Sequence, residues 1–203
     1  ESRWLQDVEK DKPPKPPKAD IVLVSFSGGK DSTAALGRAV EVYGKDKVVA
    51  IYSTIEEFGD DAVSALERRL GVKIIKVKPK YDVYTFWTEV NKVGKIFRFC
   101  PYNSYKVDSI RKAEKEFIKQ NEGKKIIKIL GMRRAEGQRR SNRQWLEFDK
   151  SVNLPIYNII LDWTDEDVYN YIKKNKIPLT KAYEQGFYRT SCWACPFKAV
   201  DEW

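Results

Sequence analysis

The chain has 203 residues, of which 42% are hydrophobic and 33% charged, a balance that fits one folded domain and excludes intrinsic disorder. The 38 Lys and Arg residues against 29 Asp and Glu residues give a net charge of +9. A basic surface suits polyanions such as nucleotides, RNA or DNA, although abundant Lys and Glu are equally typical of heat-adapted proteins. The sequence has no histidine, which excludes Ser-His-Asp and Cys-His nucleophilic catalysis and any histidine-ligated metal.

The first 20 residues differ in composition from the rest. They are polar and include Pro13-Pro14-Lys15-Pro16-Pro17-Lys18, a run that favours an extended linker or arm. We expect one domain over residues 21–203, and the first residue, Glu1, leaves open a longer natural chain. No window reaches the roughly 18 to 20 apolar residues of a membrane span, and no export signal is visible, so we predict a cytoplasmic protein without membrane insertion.

Short apolar runs alternate with amphipathic segments along the chain. Strands are predicted at 21–26, 48–52, 72–77 and 124–130 and near Ile156, and helices at 32–43, 60–70, 83–93, 103–119 and 165–174. This rhythm predicts an α/β fold with an open, mostly parallel twisted sheet, right-handed crossovers and helices on both faces.

The segment Ser25-Phe26-Ser27-Gly28-Gly29-Lys30-Asp31-Ser32 joins the first predicted strand to the first predicted helix. Two glycines let the backbone approach an anion, and the N–H groups of the loop and the helix start point at it. Two serine hydroxyls and the Lys30 cation add to this, while Asp31 suits helix capping or a Mg²⁺ ion on the nucleotide. A tight turn of chance composition is the alternative, and the strand-loop-helix context favours a phosphate site.

This loop resembles the PP-loop, Ser-Gly-Gly-x-Asp-Ser, of the adenine nucleotide α-hydrolase-like superfamily, which includes ATP pyrophosphatases and sulfonucleotide reductases. Four further segments resemble the PAPS (phosphoadenosine phosphosulfate) reductase family. They are Arg98-Phe99-Cys100 with Lys106, the arginine-rich stretch 131–141, the stretch 154–172 and the closing segment 177–195. The resemblance covers the chain in order from about Val22 to Val200, and it suggests a member from an archaeal or thermophilic source.

The resemblance implies a set of site residues. The nucleotide-binding set is Ser25, Ser27, Gly28, Gly29, Lys30, Asp31, Ser32, Thr54, Gly131 and Arg133, and the catalytic set is Lys30, Asp31, Arg133 and Arg139. Thr54 is carried over with less support, because Ser53 and Ile55 replace the usual Asp and Gly around it. The arginines from Arg133 to Arg143 follow a strand end, where parallel sheets bind ligands, and a solvated basic loop or an RNA-backbone patch is the alternative.

Cys100, Cys192 and Cys195 are the candidate metal ligands. Reductases of the APS (adenosine phosphosulfate) type bind an iron–sulfur cluster through a Cys-Cys pair and a Cys-x-x-Cys pair, and this chain matches three of those four positions. Three thiolates suit a [4Fe–4S] cluster with one open iron if the fold brings them together. A redox dithiol at Cys192 and Cys195, or three inert buried thiols, are the alternatives.

Two reaction classes follow from the resemblance. In a sulfonucleotide reductase, a cysteine thiolate attacks the sulfur of APS or PAPS, and the family carries that cysteine in a Glu-Cys-Gly-x-His segment that these 203 residues do not contain. In an ATP pyrophosphatase-type sulfurtransferase, ATP adenylates tRNA or DNA for thiolation, and Asp31 supports this alternative because Mg²⁺ must neutralise the leaving pyrophosphate. A nucleotide sensor without catalysis is a third class. We predict the reductase family, with an electron or sulfur donor protein as partner and a homodimer as the candidate assembly.

Overall fold

The computed structural model describes residues 13–54, 60–90 and 102–187. The strands within these ranges are β1 (Ile21–Phe26), β2 (Val48–Ser53), β3 (Lys73–Val77), β4 (Ile126–Leu130), β5 (Leu146–Asp149) and β6 (Leu154–Tyr157). The helices are α1 (Lys30–Tyr43), α2 (Asp60–Leu70), α3 (Val83–Thr85), α4 (Tyr102–Gln120), α5 (Asp165–Lys174) and α6 (Lys181–Glu184). None of the helices in these ranges is both long and apolar enough to span a membrane.

The strands form one sheet in the order β3-β2-β1-β4-β6-β5. All neighbours run parallel except β5, which pairs antiparallel with β6. The strand order therefore reverses at β1, which lies between β2 and β4. In open parallel sheets such a reversal leaves a crevice beyond the carboxyl ends of the two central strands. The predicted open, mostly parallel sheet is confirmed.

Helices cover both faces of the sheet. On one face Val22, Val24 and Phe26 of β1 belong to a core that also contains apolar residues of α1, α2 and α5. On the other face Leu23 of β1 belongs to a second core to which α4 contributes Ile110 and Phe117. This alternation along β1 follows from the two-residue period of a strand, and it buries the strand on both sides.

Local sequence explains where the helices near the crevice begin and end. In α1, Ala34, Ala35, Leu36 and Ala39 are fully buried against the sheet, and Gly44 ends the helix as predicted. In α5, the Thr164 hydroxyl accepts from the Asp167 N–H while the Asp167 carboxylate accepts from Thr164, a reciprocal cap that fixes the predicted start.

The structure differs from the sequence prediction at the helix 83–93 and at β5. The predicted helix 83–93 is a short α3 followed by one π-helical turn, Phe86–Val90, and its last residues lie outside the described ranges. The strand β5 was not predicted, because Leu146–Asp149 is short and only partly buried and therefore shows no apolar run. Residues 13–19 have no helix or strand, and residues 1–12 lie outside the described ranges, so the predicted arm stays a prediction.

Candidate nucleotide site

A cleft of about 980 Å³ lies beyond the carboxyl ends of β1 and β4. The loop after β1, the first turns of α4 and the loop after β4 form its walls. Five basic side chains line it against two carboxylates: Lys30, Lys106, Arg133, Arg139 and Arg140 against Asp31 and Glu136. This excess of positive charge favours an anionic ligand.

The loop after β1 has the geometry that the glycine pair predicts. Gly28 is buried with φ +80°, a conformation that a residue with a Cβ adopts only with strain. The Ser32 hydroxyl donates to the Gly29 carbonyl (2.9 Å) and accepts from the Ser27 N–H (3.2 Å). Ser32 therefore braces the loop from inside, whereas the Ser27 side chain is exposed at the cleft.

Gly131 lies behind this loop at the end of β4. A Cβ at this position would be 2.7 Å from both the backbone nitrogen and the Cα of Ser32, a distance that backbone atoms cannot accommodate without moving. The glycine thus allows β4 to pack directly against the first turn of α1. Its predicted part in nucleotide binding remains a prediction, and the structure gives it a role in holding the loop in place.

Four charged residues at the cleft form an ion-pair group that we call the loop web: Lys30, Asp31, Arg133 and Asp165. Arg133 Nε donates to Asp31 (2.7 Å), its Nη2 donates to Asp165 (2.8 Å) and its Nη1 donates to the Trp163 carbonyl (3.1 Å). Lys30 Nζ lies 3.1 Å from Asp31 and 2.9 Å from Asp165. The Arg133 side chain is only 1% exposed, so the protein itself occupies all three of its nitrogens. Its predicted contact with the anionic end of a ligand stays a prediction.

The electrostatics of the loop web favour the charged forms of Lys30, Arg133 and Asp165. Burial lowers the pKa of Lys30, but hydrogen bonds and charges from Asp165 and Asp31 outweigh burial and raise this pKa above its usual value. Burial likewise opposes the charge of Arg133, and Asp31 and Asp165 raise its pKa. The hydrogen bond from Lys30 lowers the pKa of Asp165. These pKa directions therefore favour two cations, Lys30 and Arg133, beside the carboxylate of Asp165.

A second ion-pair group, which we call the buried network, lies under the same strand ends and consists of Ser25, Glu114, Lys128 and Asp149. Lys128 Nζ of β4 lies 2.8 Å from Glu114 of α4 and 2.8 Å from Asp149 of β5. The Ser25 hydroxyl donates to the same Glu114 carboxylate (2.8 Å), and Glu114 is fully buried. Ser25 also lines the cleft, and its predicted contact with a nucleotide remains a prediction.

Sequence reasoning missed Glu114, Lys128, Asp149 and Asp165. Only Lys128 left a signal, since a lysine in the middle of the apolar run Ile126–Leu130 needs a partner if that strand is buried. The partners themselves come from α4 and β5, and only the folded chain brings them to Lys128.

Tyr183 is the cleft residue that comes from farthest along the chain. Its hydroxyl accepts a 2.9 Å hydrogen bond from the backbone N–H of Lys30, 153 residues away. Tyr169 lies close by, with its ring centroid 5.9 Å from Lys30 Nζ. The start of α1 is therefore covered by aromatic side chains of the last third of the chain.

The remaining predicted residues lie apart from the loop web or outside the described ranges. Arg139 lines the cleft, and Thr54 directly follows β2, with its N–H donating to the Val77 carbonyl (2.8 Å). Cys100, Cys192 and Cys195 lie outside the described ranges, so the cluster stays a prediction. Among residues 13–54, 60–90 and 102–187 no group of three or more Cys, Asp or Glu side chains could hold a metal.

Solved structures with the same architecture define the fold class. A PAPS reductase from Candida auris, solved as a phosphate complex, superposes with a TM-score of 0.60 at 17% identity over 85% of this chain and 82% of that one. An NH3-dependent NAD synthetase from Campylobacter jejuni superposes with a TM-score of 0.51 at 13% identity, over 86% and 71% of the two chains. The fold is thus an α/β fold of the adenine nucleotide α-hydrolase-like class.

The family follows from sequence comparison. The model of the phosphoadenosine phosphosulfate reductase domain matches residues 21–198, and the chain belongs to this family. An uncharacterized protein of Methanocaldococcus jannaschii is 32% identical over 193 residues, 89% of this chain and 37% of that protein. An adenosine 5'-phosphosulfate reductase of Neisseria meningitidis is 34% identical over 76 residues, 36% of this chain and 31% of that enzyme. The chain thus spans only about a third of the length of these relatives.

Proposed function

We propose that this domain binds a sulfonucleotide, APS or PAPS, without a metal ion and serves an enzyme that transfers or reduces the sulfur of that ligand. The observation that carries the proposal is the state of Asp31. Its carboxylate accepts from Arg133 Nε at 2.7 Å and lies 3.1 Å from Lys30 Nζ, so two cations already neutralise it. The loop therefore does not repel an anion, and it offers no free carboxylate to a metal.

The charge of the cleft supports the same choice. A metal on Asp31 would have to compete with Arg133 at Oδ1 or with Lys30 at Oδ2. The Arg133 guanidinium is buried and is also hydrogen-bonded to Asp165 and to the Trp163 carbonyl. Separating a buried cation from its partners is costly, typically about 3–5 kcal/mol. The surplus of basic over acidic side chains in the lining suits a ligand that brings its own negative charges and no Mg²⁺.

The proposed reaction is sulfonyl transfer to a thiol. A cysteine thiolate attacks the sulfur, the bond from sulfur to the bridging oxygen breaks, and AMP or its 3'-phosphate leaves with that oxygen. A second thiolate from a donor protein then forms a disulfide with the first sulfur and releases sulfite. In this scheme the start of α1 holds the nucleotide phosphate and Arg139 contacts the sulfate end. No step passes through an iron–sulfur cluster.

The ATP pyrophosphatase is the second candidate, and the presence of Asp31 in the loop favours it. Its nucleic-acid partner has less support, because the basic loop after β4 is largely paired. Arg134 contacts Asp162 (2.6 Å), Arg140 contacts Glu136 and Arg143 contacts Glu147 (2.5 Å). Three of the five arginines expected to meet a phosphate backbone are thus neutralised by carboxylates, and Arg133 is buried.

Isothermal titration calorimetry tests the choice of ligand. APS, PAPS and ATP are titrated into the protein in EDTA and again with excess Mg²⁺. We expect APS or PAPS to bind equally in both buffers and more tightly than ATP. Asp31→Asn should keep this binding within about threefold, since Asp31 supplies no metal ligand. Binding that requires Mg²⁺, prefers ATP and is lost in Asp31→Asn would overturn the proposal in favour of the pyrophosphatase.

A further inference from the structure

The first backbone N–H of α1 is already occupied by a side chain. Helix starts leave N–H groups without intrahelical partners, and bound phosphates accept from them. Here the N–H of Lys30, the first residue of α1, donates to the Tyr183 hydroxyl at 2.9 Å. The phenol oxygen therefore stands at a position that a ligand oxygen needs.

Tyr183 lies in a short helix that is only weakly anchored to the core. It belongs to α6, which has four residues, none of them buried. No side-chain hydrogen bond caps α6 at Thr180. Moving α6 exposes little apolar surface, so the cost of displacing Tyr183 is small compared with the cost of moving a core helix.

We propose that the Tyr183 hydroxyl occupies the position of a ligand oxygen at the start of α1. Nucleotide binding then displaces Tyr183 together with α6. The inference rests on the proposed function, because it requires an anion at the start of α1. A phosphate oxygen carries negative charge and accepts a stronger hydrogen bond than a neutral phenol does. The ligand oxygen therefore replaces the Tyr183 hydroxyl as the acceptor of the Lys30 N–H. The affinity of the ligand is reduced because the hydrogen bond to Tyr183 has to be broken.

Tyr169 provides a matched control for this competition. Its ring also approaches Lys30, at 5.9 Å from Nζ, yet no described residue forms a hydrogen bond with its hydroxyl. Tyr169→Phe therefore removes a hydroxyl from the same aromatic cover without removing a bond to the loop. Both variants keep their rings, and circular dichroism verifies that both are folded.

The first measurement is the affinity of the wild type, Tyr183→Phe and Tyr169→Phe for the preferred sulfonucleotide and for inorganic phosphate. Removing the competitor should tighten binding of both ligands by about three- to tenfold in Tyr183→Phe. Tyr169→Phe should stay within about twofold of the wild type. Unchanged affinity in Tyr183→Phe overturns the inference, and weaker affinity does so as well, because it would mean that the hydroxyl stays in place and donates to the ligand.

The second measurement needs no variant. Hydrogen exchange of the wild type is followed by mass spectrometry over residues 181–187, with and without a saturating ligand. Displacement of Tyr183 predicts faster amide exchange in this segment when the ligand is bound, whereas equal or slower exchange overturns the inference. If phosphate binds and shows these effects but no sulfonucleotide does, the proposed function fails and the inference about Tyr183 stands. If neither ligand binds, both fail.

Discussion

The buried network and the loop web both involve β1 and β4 or the loops that follow them, and they use the same kinds of ion pair. In the buried network, Lys128 is 7% exposed and lies between the fully buried Glu114 and the 20% exposed Asp149. In the loop web, Arg133 is 1% exposed, but its partner Asp165 is 45% exposed. The difference between the two groups is therefore the solvent exposure of one carboxylate rather than the strength of any single contact.

This difference separates two uses of charge. A buried ion pair whose partners all belong to the protein has no other ligand to exchange with, and breaking it leaves a charge without compensation. A pair that faces a cleft can exchange a carboxylate for a ligand oxygen, and water reduces its contribution to stability. We therefore expect the buried network to act on the stability of the fold and the loop web to act on the binding of anions as well as on stability.

The largest effect should follow from Lys128→Met. The substitution removes the cation between two carboxylates and leaves Glu114 fully buried without its cationic partner. The free energy of unfolding should fall by about 3–5 kcal/mol. Denaturation by urea, followed by circular dichroism, measures this change.

Two further variants test the cause of that loss. Glu114→Gln combined with Lys128→Met should recover most of the stability, since the double variant buries no unpaired charge. Arg111→Ala removes an exposed pair with Asp108, at 3.8 Å, and should stay within about 0.5 kcal/mol of the wild type. One ordinary hydrogen bond contributes about 1 kcal/mol to stability. A loss below that value in Lys128→Met would contradict the stabilising role given to the buried network.

A smaller loss is expected for Arg133→Lys. An ammonium group cannot reproduce the planar arrangement in which three nitrogens reach Asp31, Asp165 and the Trp163 carbonyl. The free energy of unfolding should fall by about 1–3 kcal/mol. The affinity for a sulfonucleotide should fall as well, because Asp31 then turns its charge towards the ligand. A variant as stable as the wild type would mean that the fold does not depend on the web.

The comparison also shows which features the sequence could predict. The strands near 21–26 and 48–52 and the helices 60–70 and 165–174 were predicted with bounds close to those observed, because each has its own apolar period and its own start or stop signal. The glycine-rich loop after β1 could be selected as a candidate phosphate site because its residues are contiguous. Each of these features depends on residues that lie within about 15 positions of one another in the sequence.

The features that were missed depend on tertiary packing. Lys128 meets Glu114 because α4 packs on the second face of the sheet, and it meets Asp149 because β5 turns back antiparallel beside β6. Tyr183 reaches Lys30 across 153 residues. Such long-range pairs leave no periodic pattern in the sequence. The sequence could therefore indicate Lys30 and Arg133 as candidate site residues, but it could not identify the residues that contact them.

The pH dependence of stability offers a finer test of the buried network. Burial raises the pKa of Asp149, but hydrogen bonds from Lys128 and Ser151 outweigh burial and lower it to about 2 from the usual 3.8. A lowered pKa adds stability that is fully present above the unfolded value and is lost as the pH falls towards about 2. The wild type should therefore exceed Asp149→Asn by an amount that is constant above a pH of about 5 and shrinks by about 2 kcal/mol in acid. Urea titrations of both proteins from neutral to acidic pH measure it, and a constant difference would contradict the assignment.

Among the substitutions within the two ion-pair groups, the smallest loss of stability is expected for Asp165→Asn, which should also bind anions more tightly than the wild type. Asp165 is half exposed at the start of α5, so its removal should cost less than about 1 kcal/mol of unfolding free energy. The variant leaves Lys30 with one carboxylate instead of two, so anions should bind about two- to threefold more tightly. Calorimetric titration with a sulfonucleotide at low and high salt measures this gain, which salt should reduce. If Asp165→Asn instead lost both stability and affinity, the loop web would support the fold as the buried network does, and the exposure of Asp165 would not separate the two groups.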